Sequence, residues 1–150
     1  MSKILIINGP NLNLLGTREP EIYGSQSFES YLQQLRQKYP HIQIDCYQTN
    51  HEGKIIDKLQ EADNNYTGII LNAAAYTHTS IAISDTLKAI NTPVVEVHIS
   101  DLKKREKYRQ ISYISEAAVK VIMGEGLPGY DMAIRFLIEK YQTEQTNFKL

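Results

Sequence analysis

Residues 4–24 read Ile4-Leu-Ile-Ile-Asn8-Gly-Pro-Asn11-Leu-Asn-Leu-Leu-Gly-Thr-Arg18-Glu-Pro-Glu-Ile-Tyr23-Gly24. Four consecutive apolar residues are too continuous for a half-exposed strand. They predict a central strand covered on both faces. A buried strand of that kind should pass through a short turn into a helix. Here it passes into about seventeen residues of glycine, proline and asparagine, with one arginine and one tyrosine among them. Long loops inside a compact domain are usually functional and often act as lids.

Working outward, the alternation of short apolar runs with helical stretches sets the fold class. Strands are expected at Lys3–Asn8, Ile42–Tyr47, Gly68–Asn72, Val94–His98 and Lys120–Met123. Phe28, Tyr31, Leu32 and Leu35 recur at helical spacing over Phe28–Tyr39, and Ser27 is placed to cap that helix. Further helices are expected at Lys54–Asp63, Ser80–Ile90 and Tyr130–Tyr141, with a short one at Asp101–Tyr108 capped by Ser100 or Asp101. Repeated β-α units imply right-handed crossovers and a parallel sheet. The expectation is an α/β, flavodoxin-like, doubly wound five-stranded sheet of order 2-1-3-4-5 with helices on both faces. Residues 1–150 then form one catalytic domain, with a lid at about 16–24 and a frayed polar tail at about 143–150.

Composition narrows the function. The chain has 150 residues, 42% hydrophobic and 22% charged, with a formal net charge of -1. That balance argues against nucleic-acid and membrane-surface partners, which call for a basic excess. The single cysteine, Cys46, excludes an intrachain disulfide and fits a reducing compartment. The apolar N-terminal run is too short for a signal-peptide core, and no run reaches the roughly 18 residues of a membrane span. The chain reads as cytoplasmic.

In open α/β sheets ligands bind beyond the carboxyl ends of the strands, where the strand order reverses. Three predicted strands end there in unusual polar residues. The first runs into Asn8 and Asn11. The third runs into Asn72-Ala-Ala-Ala-Tyr-Thr-His78-Thr-Ser80. The fourth runs through Glu96-Val-His98-Ile99-Ser100-Asp101. Each residue taken alone admits a structural reading. Asn8 and Asn11 suit turns, Tyr23 could pack the loop down, and Arg18 could pair with Glu19 or Glu21. Their convergence favours a site. Glu96 and His98 lie two apart on a strand and so share a face, where the carboxylate can orient the imidazole.

Gly124-Glu-Gly-Leu-Pro-Gly129 matches the spacing of a dinucleotide loop. The match is deceptive, because only about twenty residues follow it and they hold one helix and no second strand. A tight turn is the better reading. The four histidines show no metal-ligand spacing, and no serine sits in a hydrolase elbow. No metal and no cofactor are expected.

Tyrosine, arginine and histidine without a cofactor suit proton abstraction beside a carbonyl coupled to loss of a leaving group. A guanidinium next to Tyr23 favours tyrosinate against its ordinary pKa near 10. Asn11 can hold a water or the developing enolate oxygen, and His98 can protonate a departing hydroxyl. The rival reading is a flavodoxin-like module that binds FMN or a small anion.

The motifs Asn8-Gly-Pro-Asn-Leu-Asn-Leu-Leu-Gly, Arg18-Glu-Pro-x-x-Tyr23-Gly, Asn72-Ala-x-Ala-x-Thr-His78-Thr-Ser and Glu96-Val-His98-Ile-Ser100 resemble type II 3-dehydroquinate dehydratase. The resemblance runs from about residue 3 to the Gly-Tyr pair at 129–130. It implies a cofactor-free shikimate-pathway enzyme that converts 3-dehydroquinate to 3-dehydroshikimate by anti elimination through an enolate. It implies Tyr23 as base, Arg18 as its activator, Asn11 as holder of the enolate-stabilising water and His98 as general acid. Asn72, His78, Ile99, Ser100 and Arg109 match substrate contacts. The resemblance also implies a homododecamer built from trimers, in which Asp85 reaches a neighbouring subunit's site.

Overall fold

The computed structural model describes residues 2–17, 21 and 25–142. Arg18 and Tyr23, most of the expected lid and the tail at 143–150 lie outside the described residues. Five parallel strands form one sheet: β1 (Ser2–Asn8), β2 (Ile42–Gln48), β3 (Gly68–Asn72), β4 (Val94–His98) and β5 (Lys120–Met123). Their order is β2-β1-β3-β4-β5, the expected flavodoxin-like arrangement. Four α-helices stand among the described residues: α1 (Phe28–Lys38), α2 (Glu52–Ala62), α3 (Ile81–Ala89) and α4 (Pro128–Leu137).

The continuous apolar run of β1 has its predicted cause. Ile4 and Ile6 pack on one face with Leu32 and Leu35 of α1 and Ile134 and Leu137 of α4. Leu5 and Ile7 pack on the other with Ile55 and Leu59 of α2 and Ile83 and Leu87 of α3. All four β1 side chains are essentially inaccessible to water, each worth about 1.5–3 kcal/mol of burial. An alternating strand would have left one of those faces wet.

The helix starts follow local chemistry. Ser27 Oγ accepts the Ser30 N–H, and Ser80 Oγ accepts the Ile83 N–H. Pro128 opens α4, where its missing N–H costs nothing. The helix expected to run on to Tyr141 widens after Leu137 into a π turn, Ile138–Gln142. The Gly124–Gly129 stretch is a tight turn, with Gly124 at φ 81° and Gly126 at φ 65°.

One expected element is different. The segment Asp101–Tyr108 holds two short 3-10 turns, Leu102–Lys104 and Lys107–Arg109, in place of a helix. Its three lysines and one arginine favour helix, but only Leu102 of the two turns is buried, so there is no apolar stripe to dock. Arg105 and Glu106 turn extended between the two turns, and Arg105 is drawn back to donate from Nη1 to Ser100 Oγ at 2.9 Å. Asp101 still caps the first turn, accepting the Lys103 N–H. The crossover from β4 to β5 is therefore irregular chain, ending in a third 3-10 turn at Ser115–Ala117.

Candidate active site

The order reverses between β1 and β3, and the two strands run in register to Asn8 opposite Asn72. Just beyond, the chain after β1 is pressed against the chain after β3. The Gly9 N–H donates to the Asn72 carbonyl at 2.8 Å. A Cβ on Gly9 would stand 2.6 Å from the Ala73 carbonyl oxygen, so only glycine fits. The chain then turns through Asn11 in the left-handed region at φ 69°, with the Asn11 N–H held by Asn50 Oδ1 at 3.1 Å. It enters a 3-10 turn, Leu12–Leu14, and presents no helix N-terminus for a flavin phosphate among the described residues.

A cleft opens over this junction. It is lined by Asn11, Asn72, His78, His98, Ile99, Ser100, Arg105 and Arg109, with an apolar wall from Leu12, Leu14, Leu15 and Leu102. Seven residues singled out in the sequence thus meet at one place. Glu96 lies directly behind His98. Asp85 is exposed on α3 and is not part of the cleft wall.

The Asn72 amide is fixed from two sides. Its Oδ1 accepts the Ala74 N–H at 3.1 Å, and its Nδ2 donates to the Tyr130 hydroxyl at 3.0 Å. Tyr130 in turn donates to Asn8 Oδ1 at 2.8 Å. The tyrosine is wholly buried, and burial drives its pKa far above the ordinary value, so it acts as a neutral phenol. With one Nδ2 hydrogen used, the other remains for a ligand oxygen in the cleft.

The two histidines are held in opposite senses. His78 Nδ1 lies 2.7 Å from the Ile111 carbonyl. A carbonyl only accepts, so Nδ1 carries the hydrogen and Nε2 is left as an acceptor. Burial lowers the His78 pKa, and the nearby His98 and Arg109 add to that. His98 instead contacts Glu96 Oε2 through Nε2. Glu96 is 1% exposed and His98 4%. Burial alone would raise the Glu96 pKa. The contact with His98 and hydrogen bonds from Ser115 and Ser112 outweigh it and hold the carboxyl below its ordinary value. His98 Nδ1 is the ring nitrogen left over for chemistry.

The backbone beyond β4 is pinned by the glycine turn that mimics a nucleotide loop. The Gly126 N–H donates to the Ile99 carbonyl and the Gly124 N–H to the Ser100 carbonyl, both at 3.1 Å. Arg109 forms an ion pair with Glu106 at 3.0 Å, too poorly aligned for a hydrogen bond from Nε, and its guanidinium lies 5.2 Å from the Tyr108 ring centre. Arg105, 3.7 Å from the same Glu106 carboxylate, is the second guanidinium on this side of the cleft. Among the described residues, no three His, Cys, Asp or Glu side chains converge as a metal site.

Four participants went unread in the sequence: Arg105, Ser112, Ser115 and the hydroxyl of Tyr130. Arg105 sits in a run of surface-type charges that looks solvated. The only available hint for the serines is their i, i+3 spacing.

Comparison with known proteins agrees with this geometry. Residues 2–138 match the family model described as dehydroquinase class II. A protein of Clostridium botulinum (strain Hall) named 3-dehydroquinate dehydratase is 50% identical over 147 residues, covering 97% of this chain and 100% of its own. One of the same name from Prochlorococcus marinus (strain MIT 9301) is 46% identical over 140 residues, covering 92% and 95%. The crystal structure of type II dehydroquinase from Butyrivibrio crossotus superposes with a TM-score of 0.87 at 48% identity, covering 91% of this chain and 97% of that one. The chain belongs to the class II dehydroquinase family.

Proposed function

We propose that this chain converts 3-dehydroquinate to 3-dehydroshikimate by anti elimination of water through an enolate, as a step of the shikimate pathway in the cytoplasm. Tyr23, made acidic by Arg18 beside it, removes the proton next to the ketone. Asn11 holds the water that stabilises the enolate oxygen. His98, protonated at Nδ1 with Nε2 on Glu96, delivers a proton to the departing hydroxyl. Asn72, His78, Arg109 and the Ile99–Ser100 segment hold the ring and its carboxylate. Residues 16–24 close over the site and shut out water. The reaction is acid–base chemistry throughout and needs no cofactor. The whole chain works as one catalytic domain within a dodecamer of trimers, where Asp85, exposed on α3, reaches the neighbouring site.

The observation that carries this reading is the buried His98–Glu96 contact at the carboxyl end of β4, facing a cleft that also holds Asn72, His78 and two arginines. A base alone would give an enolate that returns its proton. An acid poised on the same cleft makes elimination productive. The test is enone absorbance after 3-dehydroquinate is added to purified protein with EDTA present. A rise that Tyr23→Phe abolishes is expected. No rise with the unmodified protein overturns the reading.

A further inference from the structure

The acid step requires the imidazole proton on one particular nitrogen, and the β4–β5 crossover fixes which. We propose that Ser112 and Ser115 are positioning residues that hold Glu96 as an anionic acceptor and thereby set the tautomer of His98. The proposal rests on the reading of His98 as the acid.

Glu96 meets three donors. Ser112 Oγ donates to Oε2 at 2.9 Å, Ser115 Oγ donates to Oε1 at 2.6 Å, and His98 Nε2 contacts Oε2. The direction of the Ser112 bond is settled by counting. Its oxygen already accepts the N–H groups of Ile114 and Ser115, both at 3.2 Å. A hydroxyl has one hydrogen and two acceptor sites. With both acceptor sites filled, the hydrogen of Ser112 goes to Glu96. A protonated carboxyl at Oε2 would face that hydrogen head-on. The site therefore stabilises the carboxylate, Nε2 keeps its hydrogen, and the proton that comes and goes on His98 is at Nδ1.

Other groups around the ring do not supply this acceptor. His78, from the turn after β3, is engaged with Ile111. Arg105 and Arg109, from the crossover, are cations. The same segment that carries the serines also carries the Ile111 carbonyl that orients His78, and the Tyr113 N–H ties it to the Thr77 carbonyl at 3.0 Å. One stretch of irregular chain thus assigns protons on both rings, at Nδ1 of His78 and at Nε2 of His98. Without the serine donors, Glu96 becomes the better base and can take the Nε2 proton, leaving a neutral ring whose one hydrogen is on Nδ1, a far weaker acid than the imidazolium when the hydroxyl must leave.

The experiment compares the wild-type enzyme with Ser115→Ala, the Ser112→Ala/Ser115→Ala double variant and Ser115→Thr. It reads kcat and KM for 3-dehydroquinate and the histidine ring nitrogens by 15N NMR of the free protein. The double variant is expected to lose about tenfold or more in kcat, part of the 10²–10⁴ a positioned acid supplies, with KM within about twofold. Its His98 nitrogens should move away from the Nε2-protonated pattern, and Ser115→Thr should restore the wild-type values. Unchanged kcat together with an unchanged ring pattern overturns the proposal. Should the double variant not fold, Ser115→Ala decides by the same criteria, since it removes a donor without touching the turn at Ser112. Should the wild-type protein not turn over 3-dehydroquinate, the NMR arm decides alone: a shifted tautomer supports the positioning role and an unshifted one overturns it.

Discussion

Both ends of the sheet carry polar networks, yet only one leaves hydrogen-bonding groups open. At the amino end, Asp63 Oδ1 accepts the N–H groups of Asn91 and Thr92, both at 2.9 Å, and the Thr92 hydroxyl at 3.1 Å. Thr92 Oγ1 accepts the Asn64 N–H at 2.7 Å. That network closes on itself and ties the loop before β3 to the loop before β4. At the carboxyl end the Asn8–Tyr130–Asn72 chain and the Ser112/Ser115–Glu96–His98 cluster are just as well ordered. The first stops one hydrogen bond short at an Asn72 N–H and the second at His98 Nδ1, and His78, held at Nδ1 by the Ile111 carbonyl, leaves Nε2 open. A closed network stabilises the fold. An open one, held from behind, presents oriented groups to a ligand.

Perturbing each end should therefore move different observables. The largest effect is expected at Glu96. Glu96→Gln should lower kcat by about 100-fold or more, because His98 loses the anion behind it, while circular dichroism stays native. A variant with wild-type kcat would break the distinction between the ends. Tyr130→Phe comes next. It strands the buried Asn8 Oδ1 and frees one side of the Asn72 amide, so denaturant unfolding should show a loss of about 1–3 kcal/mol. KM should rise more than kcat falls.

At the closed end the readout is pH-dependent stability. The Thr92 N–H leads the bonds that hold the Asp63 carboxyl below its ordinary value. A depressed folded pKa gives stability that is present above the unfolded value near 4 and lost as pH falls through the folded one. Asp63→Asn should lower the melting temperature at pH 7, and its gap from wild type should shrink below about pH 4. Its kcat should not change. The smallest effect is at Ala74, which lines the cleft in the left-handed region at φ 52°. Ala74→Gly should relieve that strain and raise stability by about 1 kcal/mol or less, read by thermal melting. A loss of stability would show that the methyl contributes more to packing than its backbone costs.

How much of this the sequence carries depends on the range of the contact. The apolar run of β1 declares a strand buried on both faces, and the alternation of elements declares a parallel sheet, for which 2-1-3-4-5 is a common order. Asn72, His78 and His98 are legible because each sits at the end of a strand whose direction is known. Glu96 and His98 are legible as a pair through the two-residue period. The segment after β4 is misleading because lysine and arginine favour helix locally, while docking decides, and Leu102 alone offers nothing to dock. Ser112, Ser115 and Tyr130 lie beyond local reading. They reach their partners across 16 to 122 positions of chain, and no period connects them.

The account turns on His98 as the acid that completes elimination after the base has acted. The most direct measurement follows 3-dehydroquinate with His98→Ala in deuterium oxide by proton NMR. The hydrogen beside the ketone should exchange for deuterium while 3-dehydroshikimate fails to accumulate. Formation of 3-dehydroshikimate at the wild-type rate would contradict it.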